Sequence, residues 1–287
     1  MADPLVSARW LAGQLSKAVV LDATATLAAP RADGDYRVAS GRPGWLAGHI
    51  PGSRHADLVT ELTDHGAGFH FAHLEAAALA AVVRPWGVVK GRPVVIYDRA
   101  GSLWAARLWW ELHSIGVDAR VLDGGLAAWR AAGLPVAVGD DAPAPRRGYL
   151  EPREIPGAWA TRDDVLAVIS GHSRATLVCA LGADAFTGRA TTRYTRRGHI
   201  PASVNLPAHG LLDGDGRLLE PAALSAAAAA VLPRDGGRII LYCGGGVSAA
   251  LLALALTVIG VGGVAIYDGS LEEWTADPAL PIQLGVA

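Results

Sequence analysis

The feature that most constrains the fold of this chain is an internal repeat. Four short blocks occur twice, in the same order, about 144 to 150 residues apart. The first copies are GHIPG at 48–52, VVIYD at 94–98, VLDGGLAAW at 121–129 and Leu-Pro at 134–135; the second are GHIPA at 198–202, IILYC at 239–243, IYDGSLEEW at 266–274 and Leu-Pro at 280–281. Four ordered matches are improbable by chance, so we predict a duplicated domain. The copies are placed at 1–137 and 159–287, with a linker rich in Pro, Gly, Asp and Arg at 138–158.

Within each copy, short runs rich in Val and Ile alternate with helical patterns. Strands are predicted at 19–22, 94–98 and 119–122, and helices near 74–83 and 103–114. This alternation predicts an α/β fold, in which each copy is a parallel sheet flanked by helices. Ligands of such sheets bind beyond the carboxyl ends of the strands. The residue that follows VVIY or IILY is therefore a candidate for chemistry: Asp98 in the first copy and Cys243 in the second.

Composition excludes several classes of protein. The chain of 287 residues is 51% hydrophobic and 18% charged, so it has enough apolar surface to fold. A net charge of −2 gives no electrostatic basis for a nucleic-acid partner. Two cysteines exclude a disulfide framework and a four-cysteine zinc site, and we predict no metal and no other cofactor.

The ends and the longest apolar stretch favour a cytoplasmic protein without a membrane partner. The N-terminus shows no pattern of a secretory signal. The apolar stretch at 247–264 is interrupted by glycines, and it is predicted to form a buried helix followed by a strand. In that compartment thiols stay reduced.

Cys243 opens a loop suited to binding an anion. Cys243, Gly244, Gly245, Gly246, Val247 and Ser248 lie between the predicted strand and a helix that starts near 248. Three consecutive glycines allow positive φ angles, so several amides can point at one spot beside the helix N-terminus. A thiol held there is expected to have a lowered pKa. We predict that Cys243 is a nucleophile and that residues 244–248 bind its substrate; a purely structural cysteine would leave the glycines unexplained.

These blocks resemble those of tandem-domain rhodanese-type sulfurtransferases over essentially the whole chain. The matching segments are GHIPGSRHADL, VVIYDRAG, VLDGGLAAW, GHIPASVNLP, LYCGGGVSAA and IYDGSLEEW. The resemblance implies that the first domain lacks the catalytic cysteine, as Asp98 indicates, and that Cys243 of the second domain carries a persulfide held by the amides of 244–248. It also implies ping-pong transfer. Sulfite leaves from thiosulfate, or pyruvate from 3-mercaptopyruvate, and a thiophilic acceptor such as cyanide or a thiol then removes the sulfur.

The chain departs from both substrate types of that family. Thiosulfate-type members carry basic residues where this chain has Gly244 and Gly245, and mercaptopyruvate-type members carry Gly-Ser. In the latter, the serine belongs to a Ser-His-Asp relay whose histidine matches His49. Because this chain lacks the serine, the relay cannot operate here. His49 also has a counterpart, His199, in the second copy, and this repetition favours a structural role in a turn for both histidines.

The donor-binding arginines are also displaced. The family positions for them correspond to Ala185 and Tyr194, so we predict that Arg193 and Arg196 replace them, with Arg189 and Arg197 as neighbours. A solvated basic loop is the alternative. Because the residues matched to mercaptopyruvate binding are lost, thiosulfate is the favoured donor and 3-mercaptopyruvate the alternative.

Other residues receive structural predictions. Cys179 ends a predicted strand and is expected to pack rather than to react with Cys243. His65, His70 and His73 are expected to lie in a solvated loop. Core packing is expected for most of the first-half tryptophans, which are Trp45, Trp104, Trp109 and Trp110.

Three other functions match parts of this sequence pattern. A tyrosine-phosphatase-like enzyme needs an arginine six positions after the cysteine, where this chain has Ala249. A dinucleotide-binding site is formally matched at 244–249, but only 19 residues follow Asp268, and Asp268 has a twin, Asp123, in the copy without the glycines. A non-catalytic regulatory or sulfur-carrier module is the alternative from another class. The physiological acceptor and the oligomeric state stay open.

Overall fold

The first half of the chain forms a parallel sheet. The computed structural model describes residues 3–144, 148–233 and 236–285. In the first half its strands are β1 (Leu5–Val6), β2 (Val19–Asp22), β3 (Ala25–Leu27), β4 (Val38–Ser40), β5 (Arg54–His55), β6 (Val94–Tyr97) and β7 (Ala119–Leu122). Within these described residues the sheet has five strands in the order β1-β7-β6-β2-β5, all parallel. The strands β3 and β4 form a separate antiparallel ribbon.

The second half repeats this topology. Its strands are β8 (Trp159–Ala160), β9 (Thr176–Cys179), β10 (Ser203–Asn205), β11 (Ile239–Tyr242) and β12 (Val264–Tyr267). In the described part of this half they form a five-stranded parallel sheet in the order β8-β12-β11-β9-β10, which matches the first sheet strand for strand. The duplication and the α/β fold are therefore confirmed.

The exact domain boundaries stay a prediction. The two sheets lie within 5–122 and 159–267, inside the predicted domains. Residues 145–147 of the predicted linker lie outside the described residues, as do 1–2 and 286–287 at the predicted domain ends.

Helices surround both sheets. In the first half they are α1 (Ala8–Gln14), α2 (Arg42–Ala47), α3 (Ala76–Val83), α4 (Leu103–Ser114) and α5 (Gly125–Ala131), with a 3-10 turn at Arg84–Trp86. In the second half they are α6 (Arg162–Ile169), α7 (Ala183–Phe186), α8 (Pro221–Ala228), α9 (Val247–Val258) and α10 (Ser270–Ala276), with a 3-10 turn at Ala208–Leu211. The predicted helices and strands of the first half agree with these bounds to within two residues.

The central strands explain why the sheets are parallel and buried. Every residue of β6 and β11 is buried, and both strands are rich in Val and Ile, which pack well on a pleated surface covered on both faces. The segment predicted as a buried helix followed by a strand forms α9 and β12. Among the described residues, no helix is long and apolar enough to span a bilayer.

The two halves pack through the helices that follow these central strands. Helices α4 and α9 lie against each other, and their side chains belong to one hydrophobic core that includes residues of both sheets. Eight of the twelve residues of α9 are buried alanine or leucine, so α4 can approach it closely. Because each of these helices starts beside the carboxyl end of its strand, the packing brings the first half close to the loop of Cys243.

The two GHIP segments form the same buried turn. The amide of Ile50 donates to the Tyr97 hydroxyl, and the amide of Ile200 donates to the Tyr242 hydroxyl, at 3.2 Å in both copies. His49 Nδ1 lies 2.8 Å from the carbonyl of Trp45, and its Nε2 lies 2.6 Å from the Asp141 carboxylate. His199 contacts the carbonyl of Phe186 in the same way. These contacts support the structural role predicted for both histidines.

Candidate active site

Cys243 directly follows β11, at the carboxyl edge of the second sheet. Its side chain is almost fully buried, and α9 begins at Val247. Gly246 caps that helix with φ +74°, a left-handed conformation that favours glycine. Gly244 and Ser248 are the partly exposed residues of the loop 243–248, so its opening lies between them. The loop predicted from the three glycines therefore lies, as predicted, between a buried strand and the start of a helix.

Ser270, the first residue of α10, holds this loop in shape. Its buried hydroxyl accepts hydrogen bonds from the amides of Cys243 and Gly246, both at 3.1 Å, and donates to the carbonyl of Tyr267 at 2.8 Å. Ser270 has φ +50°, an unusual conformation for a serine. Sequence reasoning did not identify Ser270, although the repeat carried a signal: the twin position in VLDGGLAAW is Gly125.

Two carbonyl groups of the cysteine loop accept hydrogen bonds from α10, and as a result the loop's own amides face away from that helix. The amide of Leu271 donates to the carbonyl of Cys243 at 3.1 Å, and that of Glu272 donates to the carbonyl of Gly244 at 2.8 Å. In a trans peptide the N–H points opposite to the C=O. The amides of Gly244 and Gly245 therefore point away from α10. The first-turn amides of α9 have no intrahelical acceptor, so they add donors and the positive end of the helix dipole.

The first copy shows what such a loop binds. The buried Asp98 carboxylate, at the position of Cys243, accepts hydrogen bonds of 2.7–3.0 Å from the backbone amides of Ala100, Ser102, Trp104 and Ala105. Burial raises the pKa of Asp98, and these amides act in the opposite direction. The first-copy loop is thus closed around its own side chain, and it binds a group that extends two heavy atoms beyond Cβ.

A buried ion pair from the first half supports Gly246. Arg107 of α4 contacts the Asp268 carboxylate at 2.7 Å and Glu111 at 2.8 Å. A Cβ atom on Gly246 would lie 2.5 Å from Arg107 Nη1, so only glycine fits. Although burial opposes ionisation, Arg107 and His73 hold the pKa of Asp268 below its usual value. The turn at Gly246 is therefore packed against a side chain of the other domain, which leaves no room for a Cβ atom.

Two of the three histidines predicted to lie in a solvated loop bind the second half instead. His73 Nδ1 lies 2.8 Å from Asp268, and its ring stacks on Trp159 with centroids 4.3 Å apart. His70 Nδ1 lies 2.6 Å from the Glu272 carboxylate. His65 is exposed and the side chain of His70 is 40% exposed, but His70 and His73 are both bound to carboxylates of the second half, so the prediction of a solvated loop was wrong for these two residues. Their partners are about 200 residues away in sequence, where local composition carries no information.

The arginine-rich segment is anchored rather than free. Arg196 donates from all three guanidinium nitrogens to the carbonyls of Trp274, Thr275, Asp277 and Leu280. Arg196 therefore fixes the end of α10, and four of its N–H groups are already bound to backbone carbonyls rather than free for a sulfur donor. Arg197 pairs with Asp33 at 2.8 Å. The alternative of a solvated loop therefore holds only for Arg189, which is mostly exposed.

Arg193 and Tyr194 lie at the mouth of the loop. Arg193 Nε donates to the carbonyl of Ala28 at 3.1 Å, which directs the side chain toward the first half. The ring of Tyr194 lies 3.5 Å from where a Cβ on Gly244 would be. Burial raises the pKa of Tyr194, Cys179 and then Cys243 raise it further, and Arg193 lowers it. Among the described residues, the buried Tyr194 hydroxyl has no hydrogen-bond partner.

Cys179 occupies the other side of the sheet. It is fully buried at the end of β9, and its core cluster differs from the one that contains Cys243. Burial raises the pKa of the Cys179 thiol to about 12. Both cysteines are free. This environment supports the packing role predicted for Cys179.

Comparisons with known proteins agree with this architecture. A family model described as "Rhodanese-like domain" matches residues 7–132 and 185–277. A putative thiosulfate sulfurtransferase SseB of Mycobacterium tuberculosis is 37% identical over 254 residues, with 86% of this chain and 87% of that protein covered. A probable 3-mercaptopyruvate sulfurtransferase of Pseudomonas aeruginosa is 32% identical, with 98% of each chain covered. The crystal structure of SseA from Escherichia coli, a 3-mercaptopyruvate sulfurtransferase, superposes with a TM-score of 0.78 at 29% identity, covering 94% of this chain and 99% of that one.

Proposed function

This chain belongs to the rhodanese-like family of sulfurtransferases, and on that premise we propose that it transfers a sulfane sulfur through a persulfide formed on Cys243. The favoured donor is thiosulfate, and the acceptor is a small thiophile such as cyanide or a thiol. Residues 244, 245, 247 and 248 hold the persulfide through their backbone amides, whereas the amide of Gly246 is bound to Ser270. Arg193 attracts the anionic donor.

The observation that carries this proposal is the Asp98 carboxylate of the first copy. An aspartate places two heavy atoms, Cγ and Oδ, beyond Cβ, and a cysteine persulfide places two, Sγ and Sδ. Asp98 is therefore an internal analogue of a charged persulfide, held by amides of its own loop and of the first turn of α4. A bare cysteine ends one atom short. The second loop is thus suited to an anion formed only after sulfur has been transferred to Cys243.

The sulfur-transfer step follows from this geometry. The Cys243 thiolate attacks the outer sulfur of thiosulfate, the S–S bond of the donor breaks, and its electron pair leaves with sulfite. The negative charge moves from Sγ to the outer sulfur, toward the amides and the N-terminus of α9. Attack by cyanide or a thiolate on that sulfur regenerates the Cys243 thiolate. Ser270 keeps the amides of Cys243 and Gly246 engaged, which leaves the other loop amides for the persulfide.

Arg193 at the mouth supports a small anionic donor. It provides a positive charge, and none of the described residues accepts a hydrogen bond from its Nη atoms. The relative named as a thiosulfate sulfurtransferase favours this donor, whereas the one named as a 3-mercaptopyruvate sulfurtransferase favours the alternative.

A non-catalytic module is the competing function. The first domain fits it, because its loop is closed by Asp98. The second domain carries a free cysteine in the corresponding loop, with an arginine at the mouth. A purely structural second domain would need neither of these.

The test is persulfide formation followed by intact mass spectrometry. After incubation with thiosulfate, the wild-type protein and Cys179→Ser should each gain the mass of one sulfur atom, and cyanide should remove it as thiocyanate. Cys243→Ser should gain nothing while keeping a native circular dichroism spectrum. Turnover of Cys243→Ser near the wild-type rate would refute the proposal. Faster turnover of 3-mercaptopyruvate than of thiosulfate would reverse the donor assignment.

A further inference from the structure

The tip of the β3–β4 ribbon, residues 28–37, extends from the first half of the chain to the loop of Cys243 in the second half. We propose that this tip, called the strap below, covers the cysteine loop and sets how large a sulfur acceptor reaches the persulfide, and that Asp33 keeps the strap closed. The inference rests on the proposed function, because it concerns access to the persulfide of Cys243.

The strap lies against a cysteine that is almost inaccessible. Cys243 is only 2% exposed. A Cβ atom on Gly245 would lie 2.9 Å from the hydroxyl of Tyr36, so the end of this strap side chain is in contact with the cysteine loop. Burial, the Glu272 carboxylate and Cys243 all raise the pKa of Tyr36, in agreement with this placement. An acceptor that approaches the persulfide past Gly245 therefore meets the phenol of Tyr36.

Hydrogen bonds within the strap make it a compact unit. Asp35 accepts a hydrogen bond from the amide of Arg31 at 2.8 Å and pairs with Arg37 at 2.8 Å. Arg37 also donates to the carbonyl of Ala29 at 2.7 Å. Because these contacts join the two sides of the tip to each other, we expect the strap to move as one piece that carries Tyr36 with it.

A small set of polar contacts binds the strap to the second half. Asp33 accepts a hydrogen bond from the backbone amide of Thr192 at 3.0 Å and pairs with Arg197 at 2.8 Å. The amide of Gly34 donates to the carbonyl of Thr192 at 3.1 Å. Arg193 Nε donates to a carbonyl of the strap at 3.1 Å. The strap is therefore bound to the segment that also carries Arg193, the residue proposed to attract the donor.

The contacts of Asp33 are accessible to solvent. The side chains of Asp33 and Arg197 are 34% and 40% exposed. The Thr192 amide and Arg197 hold the pKa of Asp33 below its usual value, so the carboxylate is charged at neutral pH. A pair with this exposure contributes little to the stability of a fold. It is sufficient, however, to shift a local equilibrium between a closed and an open strap that few other contacts bias.

The strap is not required by the fold of the repeat. In the first half, the ribbon lies in the segment 23–47, between β2 and the GHIP turn. The corresponding segment of the second half, 180–197, contains the short helix α7 instead, and it ends in the residues that bind the strap. The first-half loop is already closed by Asp98, so the ribbon has no site of its own half to cover. Its tip reaches the one loop that holds a cysteine.

The acceptor step shows why a covered persulfide discriminates by size. The nucleophilic atom of the acceptor bonds to the outer sulfur, the S–S bond breaks, and its electron pair returns to Sγ of Cys243 as a thiolate. Cyanide leaves as thiocyanate, and a thiolate leaves as a new persulfide. The attack requires alignment with the S–S bond. Cyanide is a diatomic anion that needs little space, whereas the thiolate of glutathione carries a tripeptide that must displace the strap. The closed strap should therefore slow glutathione more than cyanide.

The experiment compares Asp33→Ala with its matched control, Asp35→Ala, in the full-length chain. Each carboxylate pairs with an arginine at 2.8 Å and accepts one backbone amide, but only the contacts of Asp33 reach the second half. The first measurement is the rate at which N-ethylmaleimide alkylates Cys243, with no donor present. We expect this rate to rise about threefold to tenfold in Asp33→Ala, as for loss of one exposed ion pair and one hydrogen bond. Asp35→Ala should react at the wild-type rate.

The second measurement starts from the persulfide made with thiosulfate. Cyanide should remove the sulfur at similar rates from the wild type and from both variants. Removal by glutathione should be about threefold to tenfold faster in Asp33→Ala, for the same reason as alkylation. Raising the ionic strength should bring the wild type toward the glutathione rate of Asp33→Ala, because salt screens the exposed pair of Asp33 and Arg197.

The other possible results overturn the inference or the proposed function separately. Alkylation of Asp33→Ala at the wild-type rate would show that the strap does not cover Cys243. Equal acceleration in Asp35→Ala would remove the specific role of Asp33. Faster alkylation with an unchanged ratio of glutathione to cyanide rates would show that the strap does not select the acceptor. If alkylation changes as expected but thiosulfate gives the wild type no persulfide, the proposed function fails and the closure of the strap by Asp33 stands.

Discussion

Removing the hydroxyl of Ser270 tests whether hydrogen bonds from the loop of Cys243 to the first residue of α10 stabilise the shape of that loop. In Ser270→Ala, the amides of Cys243 and Gly246 lose their shared acceptor, and the carbonyl of Tyr267 loses a donor. The site is fully buried, so water does not reach these groups without rearrangement. The Cβ atom and its φ of +50° remain, so the substitution isolates the hydroxyl.

The expected loss of stability follows from the two backbone amides that lose their acceptor in Ser270→Ala. A buried donor left without an acceptor costs about 1–3 kcal/mol, and two such amides share the hydroxyl of Ser270. Local relaxation recovers part of this, so we expect the free energy of unfolding to fall by about 2–4 kcal/mol. The same relaxation turns loop amides away from the persulfide. A loss of about 1.4 kcal/mol of stabilisation at this point corresponds to about a tenfold slower formation of the persulfide.

Thermal unfolding and single-turnover persulfide formation from thiosulfate measure the two effects separately. The matched control is Ser270→Gly, which reproduces the twin residue Gly125 of the first copy. It loses the same hydroxyl but relieves the left-handed conformation, which costs about 1–2 kcal/mol for a residue with a Cβ. Ser270→Gly should therefore be more stable than Ser270→Ala and equally slow. Wild-type rates in either variant would refute the idea that the hydroxyl of Ser270 shapes the loop.

Two further predictions concern glycine and cysteine. Gly246→Ala should destabilise the fold by about 1–3 kcal/mol more than Gly260→Ala. Both glycines have positive φ, but only at Gly246 would the added Cβ atom lie 2.5 Å from Arg107 Nη1. Equal unfolding midpoints for the two variants would contradict this. Because burial raises the pKa of Cys179 to about 12, only about one in 10⁴ of the Cys179 thiols is ionised at pH 8. N-ethylmaleimide should therefore label Cys243 in the native protein, and it should label Cys179 only after denaturation. Labelling of native Cys179 would overturn the packing role.

Features encoded in contiguous segments were predictable from the sequence. The repeat predicted the duplicated sheets because each block is a complete local unit: a buried strand, its turn and the start of a helix. The position of Cys243 followed from the same logic, since a parallel strand places the next residue at the binding edge of its sheet. The two GHIP turns are also equivalent, because the hydroxyls of Tyr97 and Tyr242 each accept a hydrogen bond from the isoleucine amide of their turn.

Contacts between the halves were not predictable in this way. His70 and Glu272 are 202 residues apart, and His73 and Asp268 are 195 apart, so nothing in their local sequence pairs them. Arg196 illustrates the opposite error. Its basic neighbourhood suggested an anion site, but its guanidinium satisfies backbone carbonyls at the end of α10. Charge composition indicates that cations are present, whereas their partners depend on how the chain packs.

The silent first domain has a physical reason to be retained. Its own loop is closed by Asp98, so it has no free position for a sulfur. Its helix α4 nevertheless places Arg107 against Asp268, and its loop 70–73 contacts both acidic residues that flank the cysteine loop. Arg107 is fully buried between two carboxylates, where removing one partner leaves an uncompensated charge. The second domain separated from the first would therefore expose Asp268 and Glu272 beside the loop of Cys243, and their negative charges would oppose the binding of an anion there.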